Sequence, residues 1–144
     1  MNRVTVVKNP KAGTDKWSAT AEINTNSTPS FESDVLGGGL TLVLSSTGDP
    51  NVNTATFAGS DCSKSANGKA LKCKNAAGQV RMRSRPSPGF FRVAISVANQ
   101  NLTLPTLAQT PLSVDVQSPV SIDRVDSTLP GTCSLKGGTR IVCK

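Results

Sequence analysis

The sequence predicts an all-β protein, an antiparallel sandwich or barrel-like body, and three observations support this fold class. Thr, Ser, Asn, Val and Gly are abundant, and these residue types suit pleated strands and the turns between them. Several short segments alternate apolar and polar residues, which is the period of a strand with one buried face. No window of helical length carries apolar residues at the i, i+3, i+4 spacing, so we expect almost no helix.

The first half of the chain contains about six predicted strands. The clearest is 17–23, where Trp17, Ala19, Ala21 and Ile23 alternate with polar residues. The other predicted strands are 2–7, 40–44 and 54–58, followed by a hairpin that carries Cys62 and Cys73. Residues 24–33 and the three glycines at 37–39 are predicted as a polar loop.

The second half repeats this order, which indicates an internal duplication. The equivalent pairs are Pro10/Pro86, Trp17/Phe91, Leu40/Leu112, Cys62/Cys133 and Cys73/Cys143, at offsets of 76, 74, 72, 71 and 70 residues. The offsets shrink steadily, as expected if the second copy lost single residues in successive loops. We therefore predict two repeats of about 70 residues, 1–76 and 77–144, each with about six strands.

The two repeats are predicted to form one continuous body with pseudo-twofold character. No linker rich in Pro or Ser separates them, and 74–79 has the composition of a hairpin turn. The alternative is two small tandem sandwiches with a modest interface.

The four cysteines allow three pairings, and the turns between them distinguish these pairings. If Asn67 and Gly68 form a two-residue type I′ turn, Cys62 faces Cys73 across a hairpin. If residues 137–139 form a three-residue turn, Cys133 faces Cys143. Opposed residues in antiparallel strands lie about 4.5–5.5 Å apart at Cα, which a disulfide accepts. The sequence therefore predicts two hairpin disulfides.

Disulfides indicate an oxidising compartment, so we expect a secreted, extracellular or cell-surface protein. In the chain-entropy model each closed loop of this size stabilises the fold by about 3 kcal/mol. A zinc site is the competing interpretation of the cysteines. It is disfavoured because the chain has no His and no C-x₂-C spacing.

Catalysis finds little support in the sequence, and we predict that the protein is not an enzyme and has no cofactor. Without His the commonest general base near neutral pH is absent. A Ser-Lys pair or a carboxylate pair stays open, but no G-x-S-x-G or P-loop motif occurs. No apolar run approaches the roughly 20 residues that span a bilayer, so no membrane span is expected.

One segment resembles the beginning of a calcium-binding loop. Asp49, Asn51 and Asn53 place oxygen-bearing side chains at alternate positions. The downstream Gly and Glu of the EF-hand pattern are missing, so a simple turn is the favoured interpretation and no metal site is predicted.

The strongest functional signal is a cluster of cations between Cys62 and Phe91, a stretch that holds seven Lys or Arg residues and no acid. The predicted cationic site, as we call it, consists of Lys72, Lys74, Arg81, Arg83 and Arg85. The three arginines alternate with other residues and so share one face of a strand. If 74–79 is a hairpin of even length, the two lysines share that face. Like charges side by side on a sheet repel, so an anionic partner is expected to compensate them.

Net charge of +7 and a pI near 9.6 also favour an acidic partner. Two alternatives remain: the cations protect an exposed strand from aggregation, or they solvate the surface while their stems cover apolar area. Among polyanions, an anionic polysaccharide or another acidic surface polymer is favoured. Nucleic acid is less favoured because aromatic rings for base stacking are missing near the site.

The motifs G-K-A-L-K-C-K and P-S-P-G-F-F-R-V-A-I-S-V, in the order cysteine hairpin, basic strand and alternating strands, resemble tandem β-sandwich repeats of large secreted bacterial surface proteins. The resemblance covers most of the chain and implies a structural or adhesive module. It implies no site residue, because those repeats have no settled activity.

The sequence therefore predicts a non-enzymatic extracellular structural or adhesive module that binds an anionic polymer through the predicted cationic site. The alternative is a self-assembling subunit of a surface fibre or virion. In that case an exposed strand such as 3–7 pairs with another copy of the chain.

Overall fold

Two antiparallel sheets make up most of the computed structural model, which describes residues 3–118, 125–128 and 133–144. The strands in chain order are β1 (Arg3–Val7), β2 (Asp15–Asn24), β3 (Leu40–Ser46), β4 (Asp49–Phe57), β5 (Cys62–Lys64), β6 (Ala70–Asn75), β7 (Gly78–Ser84), β8 (Phe90–Gln100), β9 (Leu112–Gln117), β10 (Val125–Thr128), β11 (Cys133–Lys136) and β12 (Arg140–Cys143). One helix, α1 (Phe31–Gly38), and two short 3₁₀ turns, Gly59–Asp61 and Leu107–Gln109, complete the described elements. The predominantly β fold is confirmed.

The larger sheet has eight strands in the order β11-β12-β1-β2-β8-β7-β6-β5, and the smaller has four in the order β10-β9-β3-β4. The strand pairs are antiparallel throughout the described residues. Among the described strands, each sheet runs from one edge strand to another and does not close on itself, so these strands do not form the barrel-like variant of the expected fold.

The two sheets contribute to a common hydrophobic core. Trp17 and Met82 come from the eight-stranded sheet, and Leu42 and Phe57 come from the four-stranded sheet, all almost fully buried. The predicted alternation in 17–23 is exact, because Trp17, Ala19, Ala21 and Ile23 are buried while the intervening side chains are exposed or half-buried. Burial of one face of each sheet leaves the other face free to carry polar groups.

Helix α1 lies where a polar loop was predicted, so that expectation is wrong. Phe31 and Val35 are buried, and their i, i+4 spacing places both on one side of the helix. Gly39 ends the helix at φ 95°, a conformation that glycine adopts readily. A helix of eight residues with two apolar anchors gives too short a periodic pattern to be detected from sequence.

Both predicted disulfides are present. Cys62 pairs with Cys73, and Cys133 pairs with Cys143, at Cα–Cα distances of 4.0 and 4.1 Å. Each pair is directly opposed in its hairpin, as the spacing argument requires, although the Cα atoms lie closer than expected.

The first cysteine hairpin keeps the predicted register but not the predicted turn. Gly68 has φ 70°, whereas Asn67 stays outside the left-handed region that a type I′ turn requires at both positions. The side chain of Asn67 instead accepts hydrogen bonds from the Ser65 hydroxyl at 2.8 Å and the Lys69 amide at 3.1 Å. The loop is therefore wider than two residues.

A tight turn joins β6 to β7 and confirms the expected hairpin between the two halves of the chain. Asn75 is opposite Gly78, so Ala76 and Ala77 alone form the turn. Gly78 has φ 149°, and a Cβ there would lie 2.2 Å from the Ser96 carbonyl oxygen. Only glycine allows β7 to start this close to β8.

No helix within the described residues has the length and apolar character needed to cross a membrane.

Candidate anion-binding face

The outer face of the eight-stranded sheet, which points away from the core, carries four of the five residues of the predicted cationic site. Strand β6 exposes Lys72 and Lys74 while it buries Leu71 and Cys73. Strand β7 exposes Arg81 and Arg83 and buries Val80 and Met82. The alternation of strand side chains therefore places these four cations on one surface.

Strand register then brings like charges together on this face. Lys72 is directly opposite Arg81, and Arg83 is directly opposite Arg92 of β8. Directly opposed side chains in antiparallel strands lie about 4.5–5.5 Å apart at Cβ. We call Lys72, Arg81, Arg83 and Arg92 the near cluster.

Arg92 was missed by the sequence reasoning. Its alternation with Phe91 and Val93 indicated that its side chain points away from the core. Its membership of the cluster depends on the pairing of β7 with β8, a long-range feature that no local pattern specifies.

Arg85 differs from the other members of the predicted site. Strand β7 ends at Ser84, and Arg85 Nε lies 3.1 Å from a carboxylate oxygen of Glu22. Both side chains are about half exposed, so the pair contributes little to stability. The ion pair nevertheless gives Arg85 a protein counter-charge. Glu22 is also directly opposite Arg92 in the β2–β8 pairing, so one carboxylate borders the near cluster.

The four cations of the near cluster lie on strands that are paired on both sides. Strand β7 lies between β6 and β8, and the edges of the described sheet are β5 and β11. Protection of an edge strand from aggregation therefore does not explain Arg81, Arg83 or Arg92.

A shallow depression lies between the arginines of the near cluster. It measures about 280 Å³ and is lined by Thr20, Arg81, Arg83, Arg92 and Ala94. A second depression of about 170 Å³ shares Arg81 and Ala94 and reaches Lys72. Guanidinium groups that rim a concave surface form the planar, bidentate donor arrangement that suits carboxylate and sulfate groups.

Aromatic side chains are scarce on this face. Trp17 points into the core, is 1 % exposed, and donates from Nε1 to Asn53 Oδ1 at 2.8 Å. Phe90 alternates with Phe91 and so shares the face of Arg92, at the start of β8 and half-buried. Sequence reasoning overlooked this ring, because it expected none near the cations.

The three side chains of the calcium candidate engage separate protein partners. Asp49 Oδ1 accepts from the Asn51 amide at 2.9 Å, Asn51 Oδ1 accepts from the Thr54 hydroxyl at 2.8 Å, and Asn53 Oδ1 accepts from Trp17. These bonds are those of a turn and of a core contact. The described residues also contain no group of three or more acidic or cysteine side chains arranged to hold a metal ion.

A buried carboxylate supports the far end of the same sheet. Asp15 accepts hydrogen bonds from the Leu102 amide at 2.7 Å, from Lys8 Nζ at 2.8 Å and from the Asn9 amide at 2.7 Å. These bonds, above all that from Leu102, lower the pKa of Asp15 from 3.8 to about 2. The carboxylate ties the end of the β1–β2 hairpin to the segment after β8.

In comparisons with known proteins, no family model, no curated protein and no solved structure matches the chain.

Proposed function

We propose that the protein is a non-enzymatic structural or adhesive module that binds an acidic polymer on the outer face of its eight-stranded sheet. The observation that carries this proposal is the pair of opposed cations, Lys72 with Arg81 and Arg83 with Arg92. Opposed like charges destabilise a sheet. Glu22, which is opposite Arg92 and paired with Arg85, leaves these cations with a net positive charge that an anion lying across both pairs would neutralise.

The disulfides support an extracellular or cell-surface location. Both are cross-strand bonds, and no free cysteine is present in the described residues. Structural disulfides persist in oxidising environments. Acidic polysaccharides and other acidic polymers at cell surfaces occupy the same environment, which agrees with the implied resemblance to secreted bacterial surface repeats.

We infer that the body is a sandwich of two duplicated halves. Suppose that β1 is equivalent to β7, β2 to β8, and so on up to β6 and β12. When each strand is replaced by its equivalent, both sheets keep the same strand order, read in the opposite direction. Pairs β1–β12, β2–β8, β6–β7 and β3–β9 then join one half to the other. This symmetry supports duplication and a single body over two tandem sandwiches.

Heparin chromatography tests the binding proposal, because heparin is a linear sulfated and carboxylated polymer. The variant Arg81→Ser/Arg83→Ser/Arg85→Ser is expected to elute at clearly lower salt than the parent. The matched control Lys11→Ser/Lys69→Ser/Lys144→Ser removes the same charge from exposed residues outside the strands. Equal elution of the parent and the arginine variant would refute a polyanion site here.

A second candidate function is self-assembly through an edge strand, although the strand predicted for this role is not at an edge. Strand β1 lies between β12 and β2, so residues 3–7 are not available to pair with another copy. The edge strand β4 offers nine residues and pairs only with β3 among the described strands. Size-exclusion chromatography at rising concentration tests this function, and a monomer throughout would exclude it.

A further inference from the structure

A second group of cations lies at the opposite end of the same outer face. Lys136 of β11 is directly opposite Arg140 of β12, and Arg140 is opposite Val7, which is in turn opposite Lys16 of β2. All three cationic side chains are exposed. We call Lys16, Lys136 and Arg140 the far cluster.

Small side chains cover the surface between the two clusters. Strand register aligns Thr5, Ser18 and Ser96 in one row, and Thr20 and Ala94 in the next, where the exposed Arg3 of β1 is opposite Thr20 and borders the row. We call these five residues, Thr5, Ser18, Thr20, Ala94 and Ser96, the floor. None of them has a side chain larger than that of threonine. The sheet is therefore low in the middle and bordered by long cationic side chains at both ends.

Three depressions run along this path and share lining residues. The largest, about 420 Å³, reaches from Lys16 and Arg140 to Ser96. Ser96 also lines the middle depression of about 170 Å³, which shares Arg81 with the depression of about 280 Å³ in the near cluster. The depressions therefore form one continuous trough across six strands, from β12 to β6.

We infer that a single linear acidic polysaccharide lies along this trough and contacts both clusters at once. This inference rests on the proposed function and specifies its ligand. Five strand spacings of about 4.8 Å give the trough a length of about 24 Å. A short anionic headgroup or free sulfate would engage one cluster alone, whereas an extended chain reaches both.

The chemistry of the floor favours a sugar chain. Hydroxyl groups of Ser18, Thr20 and Ser96 both donate and accept hydrogen bonds, which matches the hydroxyl groups of a polysaccharide between its charged substituents. The described face offers a base little to stack on, since Phe90 is at one end and half-buried. Sulfate and uronate groups would meet the guanidinium groups at either end.

Chain length provides the test, with a heparin tetrasaccharide and long heparin chains as probes. The variant Lys16→Ser/Arg140→Ser is expected to weaken binding of long heparin about tenfold or more, because two linked contacts become one. Its affinity for the tetrasaccharide should stay within about twofold of the parent, since a short chain gains nothing from the second cluster. The salt dependence of long-chain binding should become shallower by roughly two released counter-ions.

Two further variants separate this inference from the proposed function. Arg81→Ser/Arg83→Ser should weaken both probes, whereas Lys11→Ser/Lys69→Ser should weaken neither. If only the near-cluster variant loses affinity, the proposed function stands and the two-cluster trough is refuted. If the parent itself does not bind either probe, both fail.

The remaining outcomes also test whether a polysaccharide contacts both clusters. If the control loses as much affinity for long heparin as the far-cluster variant, the effect depends on net charge alone and the trough is refuted. Tighter binding of single-stranded polynucleotide than of heparin at equal salt would refute a polysaccharide occupant. Should Lys16→Ser/Arg140→Ser lower the melting temperature, Lys16→Gln/Arg140→Gln keeps part of each stem and repeats the measurement.

Discussion

The two sheets share a core but differ strongly in the net charge that their strands carry. The described strands of the eight-stranded sheet contain two acids, Asp15 and Glu22, and ten basic residues, namely Arg3, Lys16, Lys64, Lys72, Lys74, Arg81, Arg83, Arg92, Lys136 and Arg140. Those of the four-stranded sheet contain no basic residue and three acids, Asp49, Asp115 and Asp126. Among the described strands, the positive charge is therefore concentrated in the eight-stranded sheet.

The difference in charge between the sheets helps to explain why the eight-stranded sheet carries exposed cations. The four-stranded sheet exposes uncharged side chains such as Thr54 and Thr56 and needs no Lys or Arg to present a polar surface. Solvation alone therefore does not require the cations of the other sheet, where two opposed pairs repel. A concentrated charge of one sign instead favours an oppositely charged partner on that side.

The largest expected effect tests whether the two sheets are one cooperative unit. Leu42→Ala removes a fully buried side chain from the four-stranded sheet and should cost about 2–5 kcal/mol of unfolding free energy. Because the core is shared, denaturant unfolding should remain a single transition at lower denaturant. Two separate transitions, with one of them at the position of the parent, would show that the sheets unfold independently.

The next effect concerns the disulfide beside the near cluster. Cys62→Ala/Cys73→Ala should lower stability by about 3 kcal/mol, since it releases the loop constraint on the unfolded chain. Cys133→Ala/Cys143→Ala closes a loop of nearly equal length and should cost a similar amount. Thermal unfolding of both variants measures this, and a large difference would show that the two halves are not equivalent in stability.

The prediction of intermediate size concerns Asp15 and pH. Its pKa is lowered from 3.8 to about 2 in the folded protein, so its contribution to stability is complete above pH 3.8 and is lost as the pH falls through about 2. Asp15→Asn should be less stable than the parent near pH 7, and the difference should shrink as the pH falls from about 4 to about 2. Chemical denaturation at several pH values measures this, and a difference that does not change with pH would contradict the assignment.

The sequence was sufficient where local patterns decide the structure. Alternation in 17–23 correctly predicted which side chains are buried. The spacing about each turn correctly placed Cys62 opposite Cys73 and Cys133 opposite Cys143, although the first turn is wider than predicted. It was insufficient where distant strands meet. The far cluster depends on β1 lying between β12 and β2, and no local signal joins residue 140 to residue 16.

The smallest effect concerns the cost of holding like charges together. Arg83→Gln removes one charge opposite Arg92 and keeps part of the arginine stem over the sheet. It should raise the free energy of unfolding by about 0.2–1 kcal/mol, the usual scale of a cross-strand pair, and the gain should shrink as added salt screens the charges. The same variant should elute from heparin at lower salt than the parent.

Arg83→Gln is expected to raise stability and to weaken heparin binding. These opposite effects separate a binding face from a structural one. Lys69→Gln, in the turn of the first cysteine hairpin, loses the same charge where no cation is directly opposed across a strand pair, and it should change neither property measurably. If Arg83→Gln lowered stability instead, the arginine would be a structural contributor. The contrast between the sheets would then reflect packing of the stem and not accommodation of an acidic ligand.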